Sequence, residues 1–308
     1  MTSLRPFLIC ALAVFFGTVL DALVKAIAMD LDVLTLTAWR FLFGAVMILS
    51  AYCARGGGMP TIPAMRFHAM RGSVHAVAVL SFFGALSLLP LAMATVLGFM
   101  AALMVAPIAR VILGEPLNGI AIGAAGIGFV GAALTASGFE SADLEAETRL
   151  LGVALAMIAA VAYAATLVLI RLRARTENAL TIVMFSNVVP AIIIWTILLG
   201  ASLAEGGPAI WPGLEAMPLL VMLAVLGVTV WLLMTYAYGN APAGQLAPLE
   251  YTALIWSGLF GAVFFAEYPG WRLYVGAAII IGACLLVALE DKFRTRQKAG
   301  LPASDILD

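Results

Sequence analysis

The sequence predicts an all-α integral membrane protein of ten transmembrane helices, arranged as two inverted five-helix repeats. Three observations lead there. The 308 residues are 64% hydrophobic and only 11% charged, under half the charged share of an ordinary soluble domain, about 25%. Apolar runs long enough to cross a hydrocarbon core of about 30 Å recur from end to end. The second half of the chain also echoes the first at matched positions.

Polar, Gly and Pro breaks divide the apolar sequence into spans. They fall at 7–28, 33–54, 72–89, 93–113 and 120–136, then at 150–170, 179–203, 219–237, 246–265 and 274–289. The organisation is a first repeat at 1–137, an acidic linker at 138–149, a second repeat at 150–289 and a tail at 290–308. Arg5 and the apolar run after it imitate a signal peptide, but the run continues into a full-length span and has a counterpart later in the chain.

Positive charge sets the orientation, because Lys and Arg are retained on the cytoplasmic side. With the N-terminus inside, Arg5, the Arg55/Arg66/Arg71 loop, the Arg171/Arg173/Arg175 loop and Lys292, Arg294, Arg296 and Lys298 of the tail all fall inside. Arg149, Arg272 and most of the acidic linker (Glu140, Asp143, Glu145, Glu147) fall outside. The expectation is a multi-pass protein of the bacterial inner membrane, its linker periplasmic and both termini cytoplasmic. Net charge of -1 gives no sign of a nucleic-acid partner. Cys10, Cys53 and Cys284 lack metal-ligand spacing and read as free thiols.

The internal repeat is consistent along the chain. Leu34-Thr35 matches Leu180-Thr181 and Lys25 matches Arg171, both 146 apart. Pro90 matches Pro242 and Glu115 matches Glu267, both 152 apart; Gly123-Ala124-Ala125 matches Gly276-Ala277-Ala278 at 153. The offset drifts one way, as loop insertions would make it. Five spans per repeat is an odd number, so the second repeat sits upside down. Inverted repeats suit alternating access around a midplane site. Small residues four apart, Gly119/Gly123, Ala124/Gly128/Ala132 and Ala278/Gly282, read as close helix packing.

Charge inside the spans is the next signal. Asp21 and Lys25 lie in the first span, Arg40 in the second and Glu250 in the ninth. Each costs about 2.5 to 3.5 kcal/mol at a helix centre, against about 4 to 7 kcal/mol from strongly apolar side chains in the first span. Asp21 and Lys25 therefore need partners. Their spacing of four permits a same-face pair, and Arg40, about 10 Å below the outer end of its span, can reach them. A self-satisfied cluster, a ligand site and a gate that pairs in one state all fit. Glu250-Tyr251 lies in the inner half, as a proton site or a partner for a cationic group.

Trp39, Tyr163, Asn187, Trp231, Tyr236, Tyr238 and Trp256 are candidates to line a cavity, with packing as the plainer role. Met93, Met100 and Met104 share a face and read as core filling. Pro107 and Pro190 fall within spans, where they are candidates to break helices. Glu115 and Glu267 read as caps on repeat ends. His68 is expected in a cytoplasmic loop and His75 near the inner end of the third span. No nucleophile–base pair, metal constellation or Walker-type loop is visible, so the sequence predicts a non-enzyme without cofactor. An intramembrane enzyme acting on lipid and a non-transporting scaffold are the competing classes.

The chain resembles the EamA-type drug/metabolite transporters over essentially its whole length. LGEP (Leu113–Pro116), FAEYP (Phe265–Pro269), AWRF (Ala38–Phe41) and EYTALIW (Glu250–Trp256) carry the resemblance by their order. It implies a central cavity between repeats and secondary transport of small organic solutes. DALVK (Asp21–Lys25), Arg40 and the Tyr251 segment are similar to members that take up S-adenosylmethionine or riboflavin; other relatives export amino acids or drugs. The expected partners are a zwitterionic or amphipathic solute, the lipid bilayer and, as a candidate coupling ion, the proton. Oligomeric state is open between monomer and dimer.

Overall fold

The computed structural model describes residues 4–58, 60–114, 119–137, 146–173, 178–204, 206–240, 246 and 249–298. Glu115, Pro242, residues 138–145 of the linker and the end of the tail lie outside the described residues.

Among the described residues the chain is all helical. The helices are α1 (Arg5–Ile27), α2 (Val33–Ala54), α3 (Ile62–Leu88), α4 (Leu91–Gly98), α5 (Met100–Leu113) and α6 (Gly119–Ser137). They continue with α7 (Ala146–Arg173), α8 (Ala179–Ser202), α9 (Met217–Asn240), α10 (Ala253–Phe265) and α11 (Trp271–Lys298). Among the described residues seven segments are long and apolar enough to cross a membrane, α4 and α5 counting as one, Leu91–Leu113. Shorter apolar helices cover Ile122–Ser137, Ala253–Phe265 and Trp271–Val287. The chain is a multi-pass membrane protein.

Two boundaries differ from the sequence reading. α3 starts at Ile62, ten residues before the expected span, with Pro63 in its first turn, where proline's fixed φ suits a helix start. Hydropathy measures apolar length, and this helix outruns it. Arg66, His68 and Arg71 therefore belong to α3 rather than a loop, and His68 and Arg71 are buried. Similarly, the expected tail begins as a continuation of α11 to Lys298.

The long helices pair across the two halves of the chain. α1 packs along α9, α2 along α8, α3 along α7 and α6 along α11, while α4 lies against α10. Local chemistry recurs at the sequence offsets. Asp32 caps α2 by accepting from the Leu34 N–H at 2.8 Å, and Asn178, 146 residues on, caps α8 by accepting from Leu180 at 3.1 Å. Gly114 and Ala266, 152 apart, both end helices in the left-handed conformation, φ 70° and 53°.

The expected proline breaks are absent: α5 runs through Pro107 and α8 through Pro190. Breaks fall instead at Phe99, between α4 and α5, and at Tyr251-Thr252, before α10. At both, the backbone tightens to i→i−3 bonding: Ala102 donates to the Phe99 carbonyl, and Leu254 to the Tyr251 carbonyl, each at 3.1 Å. Phe99 and Tyr251 are also 152 apart. Their rings meet edge to face, centroids 5.3 Å apart.

The largest buried cluster joins α3, α4 and α5 through Leu86, Leu89, Leu91, Leu97 and Leu103, with Met93, Met100 and Met104 filling it as expected of that flexible side chain. The small-residue reading holds in part. Gly128 lies against Leu103 and Met100, whereas Gly119, Gly123 and Gly282 have open space where a Cβ would stand.

Candidate functional site

The intramembrane polar groups fall into three stations. The expected Asp21–Lys25–Arg40 cluster is split between two of them.

The first station lies where α3 ends and α4 begins. Lys25 pairs not with Asp21 but with Glu267, Nζ to Oε1 at 3.0 Å. Its ammonium also donates to the carbonyls of Leu89 at 2.6 Å and Leu86 at 3.3 Å, so three acceptors meet its three donors. Those carbonyls sit in the last turn of α3 and at its C-cap, where a cation is favoured. The other Glu267 oxygen, Oε2, accepts from the Leu91 N–H at 2.8 Å, in the first turn of α4, where an anion is favoured. The pair is mostly buried, 12% and 16% exposed. Ala266 in its left-handed conformation turns the chain, Glu267 donates its own N–H to the Gly261 carbonyl at 2.9 Å, and a Cβ at Gly261 would stand 3.1 Å from the carboxylate. Glu267 caps a helix as expected, but that helix is α4, from the other half of the chain.

The second station lies between α1, α2, α3, α8 and α9. Arg40 is 4% exposed, and its Nε and Nη1 lack hydrogen-bond partners among the described residues. Its guanidinium lies over Phe41, 4.1 Å from the ring centre, with Phe83 at 5.8 Å. Asp21 and His75 are electrostatic neighbours of Arg40. The His75 ring meets Trp231 edge-on at 5.4 Å. Arg71 donates to the Ser186 hydroxyl at 2.9 Å and the Ile182 carbonyl at 3.0 Å. Asn187 is buried and bonds back to the Val183 carbonyl at 2.9 Å. His68 stacks on Phe185 at 4.4 Å. His68, Arg71 and His75 sit at i, i+3 and i+7, one face of α3, a pattern the sequence already carried.

The third station surrounds Glu250, whose electrostatic neighbours are Cys10 of α1, Tyr163 of α7, Tyr251 and Cys284 of α11. Tyr163 itself is 39% exposed. Cys284 lies 3.7 Å from the Phe99 carbonyl at the helix break.

Three candidates fall elsewhere. Trp39 donates to the Ile210 carbonyl at 2.8 Å and packs on Trp195 and Trp211, pinning the loop between α8 and α9. Trp256 meets Phe15 edge to face and lies tilted against Phe260, where α1 and α10 pack. Tyr236 is 46% exposed on α9, and the Tyr238 side chain lies outside the described residues. The sequence reading passed over Phe99, which the offset to Tyr251 pointed to, and Gly227, whose missing side chain leaves room for Arg40.

Charged groups held inside a helical membrane bundle mark functional sites, among them substrate and ion pathways. Residues 5–137 and 150–289 match the EamA-like transporter family, and the chain is a member of that family. An S-adenosylmethionine uptake transporter of Rickettsia bellii (strain RML369-C) is 23% identical over 272 residues, 88% of this chain and 89% of the relative. Uncharacterized transporters of two Helicobacter pylori strains are 40% identical over 65 residues, 21% of this chain, and the match spans only 22% of their own length. A solved crystal structure shares the fold, with a TM-score of 0.60 at 21% identity, covering 91% of this chain and 97% of the other.

Proposed function

We propose that this chain is a secondary transporter of a small zwitterionic or amphipathic solute, working by alternating access between two inverted five-helix halves. The recurring caps, left-handed helix ends and broken fourth spans support a duplicated half, and the reciprocal helix pairing supports a two-fold relation between the copies. The positive-inside rule puts α1 running outward and α10 ending at the same face. On that orientation Lys25 and Glu267 close the periplasmic end, and Glu250 lies below them with Tyr163 and Tyr251 as electrostatic neighbours. The observation that carries the reading is the Lys25–Glu267 pair, an ionic joint between the two halves inside the membrane. When the halves rock apart, Lys25 keeps its bonds to the Leu86 and Leu89 carbonyls of its own half, whereas Glu267 gives up both the ion pair and the Leu91 N–H.

The Rickettsia relative's name makes S-adenosylmethionine the first solute to try, with riboflavin and amino acids beside it. Proteoliposomes carrying the protein should accumulate at least one of these radiolabelled solutes above empty vesicles; accumulation of none would overturn the substrate reading. Glu250 is the candidate proton or cation site. Glu250→Gln should slow uptake and flatten its pH dependence, and a variant with both unchanged removes that role.

A further inference from the structure

A guanidinium ion is among the most expensive groups to bury with donors unused. Arg40 is 4% exposed, and two of its three nitrogens, Nε and Nη1, have no hydrogen-bond partner among the described residues. The surroundings hold the group in place rather than satisfy it. Phe41 lies 4.1 Å from Cζ and Phe83 5.8 Å, offering ring faces that attract the cation but accept no ordinary hydrogen bond. Gly227 of α9 lets the guanidinium lie close, since a Cβ there would stand 2.9 Å from Cζ. The neighbouring His75 also has an unpartnered Nδ1 and is 2% exposed.

We propose that Arg40, with His75 beside it, is a binding subsite for a carboxylate, specifically that of an α-amino-acid head group. The guanidinium has an end-on fork, Nη1 with Nη2, and a side-on fork, Nε with Nη2, and each retains an unused donor for a carboxylate oxygen. Asp21 is the nearby acid whose field reaches Arg40, and it leaves Nε and Nη1 unbonded. That carboxylate decides between ligands: it opposes a dianion such as phosphate and offers an acceptor to an ammonium group beside a singly charged carboxylate. Lys25 is excluded as the anion's partner because Glu267 and two carbonyls already occupy it. This subsite rests on the transport reading only for the source of its ligand.

The test is equilibrium binding to the full chain in lipid nanodiscs, with no transport step. L-Methionine, L-phenylalanine and L-glutamine are each titrated alongside their carboxamides, which lack the negative charge. At least one acid should bind about tenfold or more tightly than its amide, and Arg40→Gln should abolish that preference while Arg40→Lys keeps part of it. If no acid outbinds its amide, or if R40Q retains the preference, the subsite is wrong. Should R40Q fail to fold, Gly227→Ala takes its place, because the added methyl displaces the guanidinium without removing its charge; a retained preference there also overturns the proposal. Binding of the acids without their accumulation in proteoliposomes would sink the transport reading and leave the subsite standing.

Discussion

Lys25 shows how a charge survives inside a bilayer. Its three donors meet a carboxylate and two helix-end carbonyls, and the carboxylate in turn satisfies the first turn of α4. Breaking such a buried pair from one side strands a charge, at about 3 to 5 kcal/mol. Lys25→Met and Glu267→Gln should each lower the thermal unfolding midpoint in nanodiscs, and the double variant should lose less than the two single losses combined, by about 1 to 3 kcal/mol of coupling. Additive losses would mean that the two groups act independently. The sequence made the need for a partner legible, because charges at Asp21 and Lys25 nearly offset the drive to insert the first span. It did not reveal the partner. Spacing of four favours Asp21 locally, whereas the choice of Glu267 depends on how the end of α10 meets the α3–α4 junction, a tertiary fact with no local signature.

Among the elements, α6 and α11 show which small residues matter. A Cβ on Gly276 would stand 2.6 Å from the Gly131 carbonyl oxygen, and one on Gly131 would stand 2.9 Å from the Gly276 carbonyl, so the two backbones touch. Backbone cannot swing aside as a side chain can. Gly276→Ala should therefore destabilise the protein by about 1 to 3 kcal/mol, while Gly282→Ala, with open space at its Cβ, should be close to neutral. Equal midpoints for the two variants in a thermal unfolding series would refute this account of the crossing. Spacing of four picked out Gly282 and missed Gly131, because periodicity marks a helix face but not the depth of its neighbour. The same limit applies to the helix breaks. Pro107 and Pro190 carry the breaking residue yet stay helical, while the turns at Phe99 and Tyr251 lack proline at the break. What was legible there was the matched offset of 152, which joins the two positions.

At the scale of the whole molecule, the number of apolar segments and the family were readable from composition and order, because lipid demands long apolar helices. The relative direction of the halves is a stronger claim and has a direct test in the native thiols. Cys53 is exposed near the end of α2, while Cys10 and Cys284 are buried. Leu203, just past the end of α8, is 89% exposed. Helices α2 and α8 hold the same place in the two halves, so inversion sends their C-terminal ends to opposite faces, whereas a parallel duplication sends them to one. A membrane-impermeant maleimide should leave Cys53 unlabelled in intact spheroplasts and label it in inside-out vesicles. Leu203→Cys, built on Cys53→Ser, should label in intact spheroplasts. Labelling of both thiols from the same face would remove the inverted arrangement and, with it, the reason to treat the Lys25–Glu267 joint as one end of an alternating path.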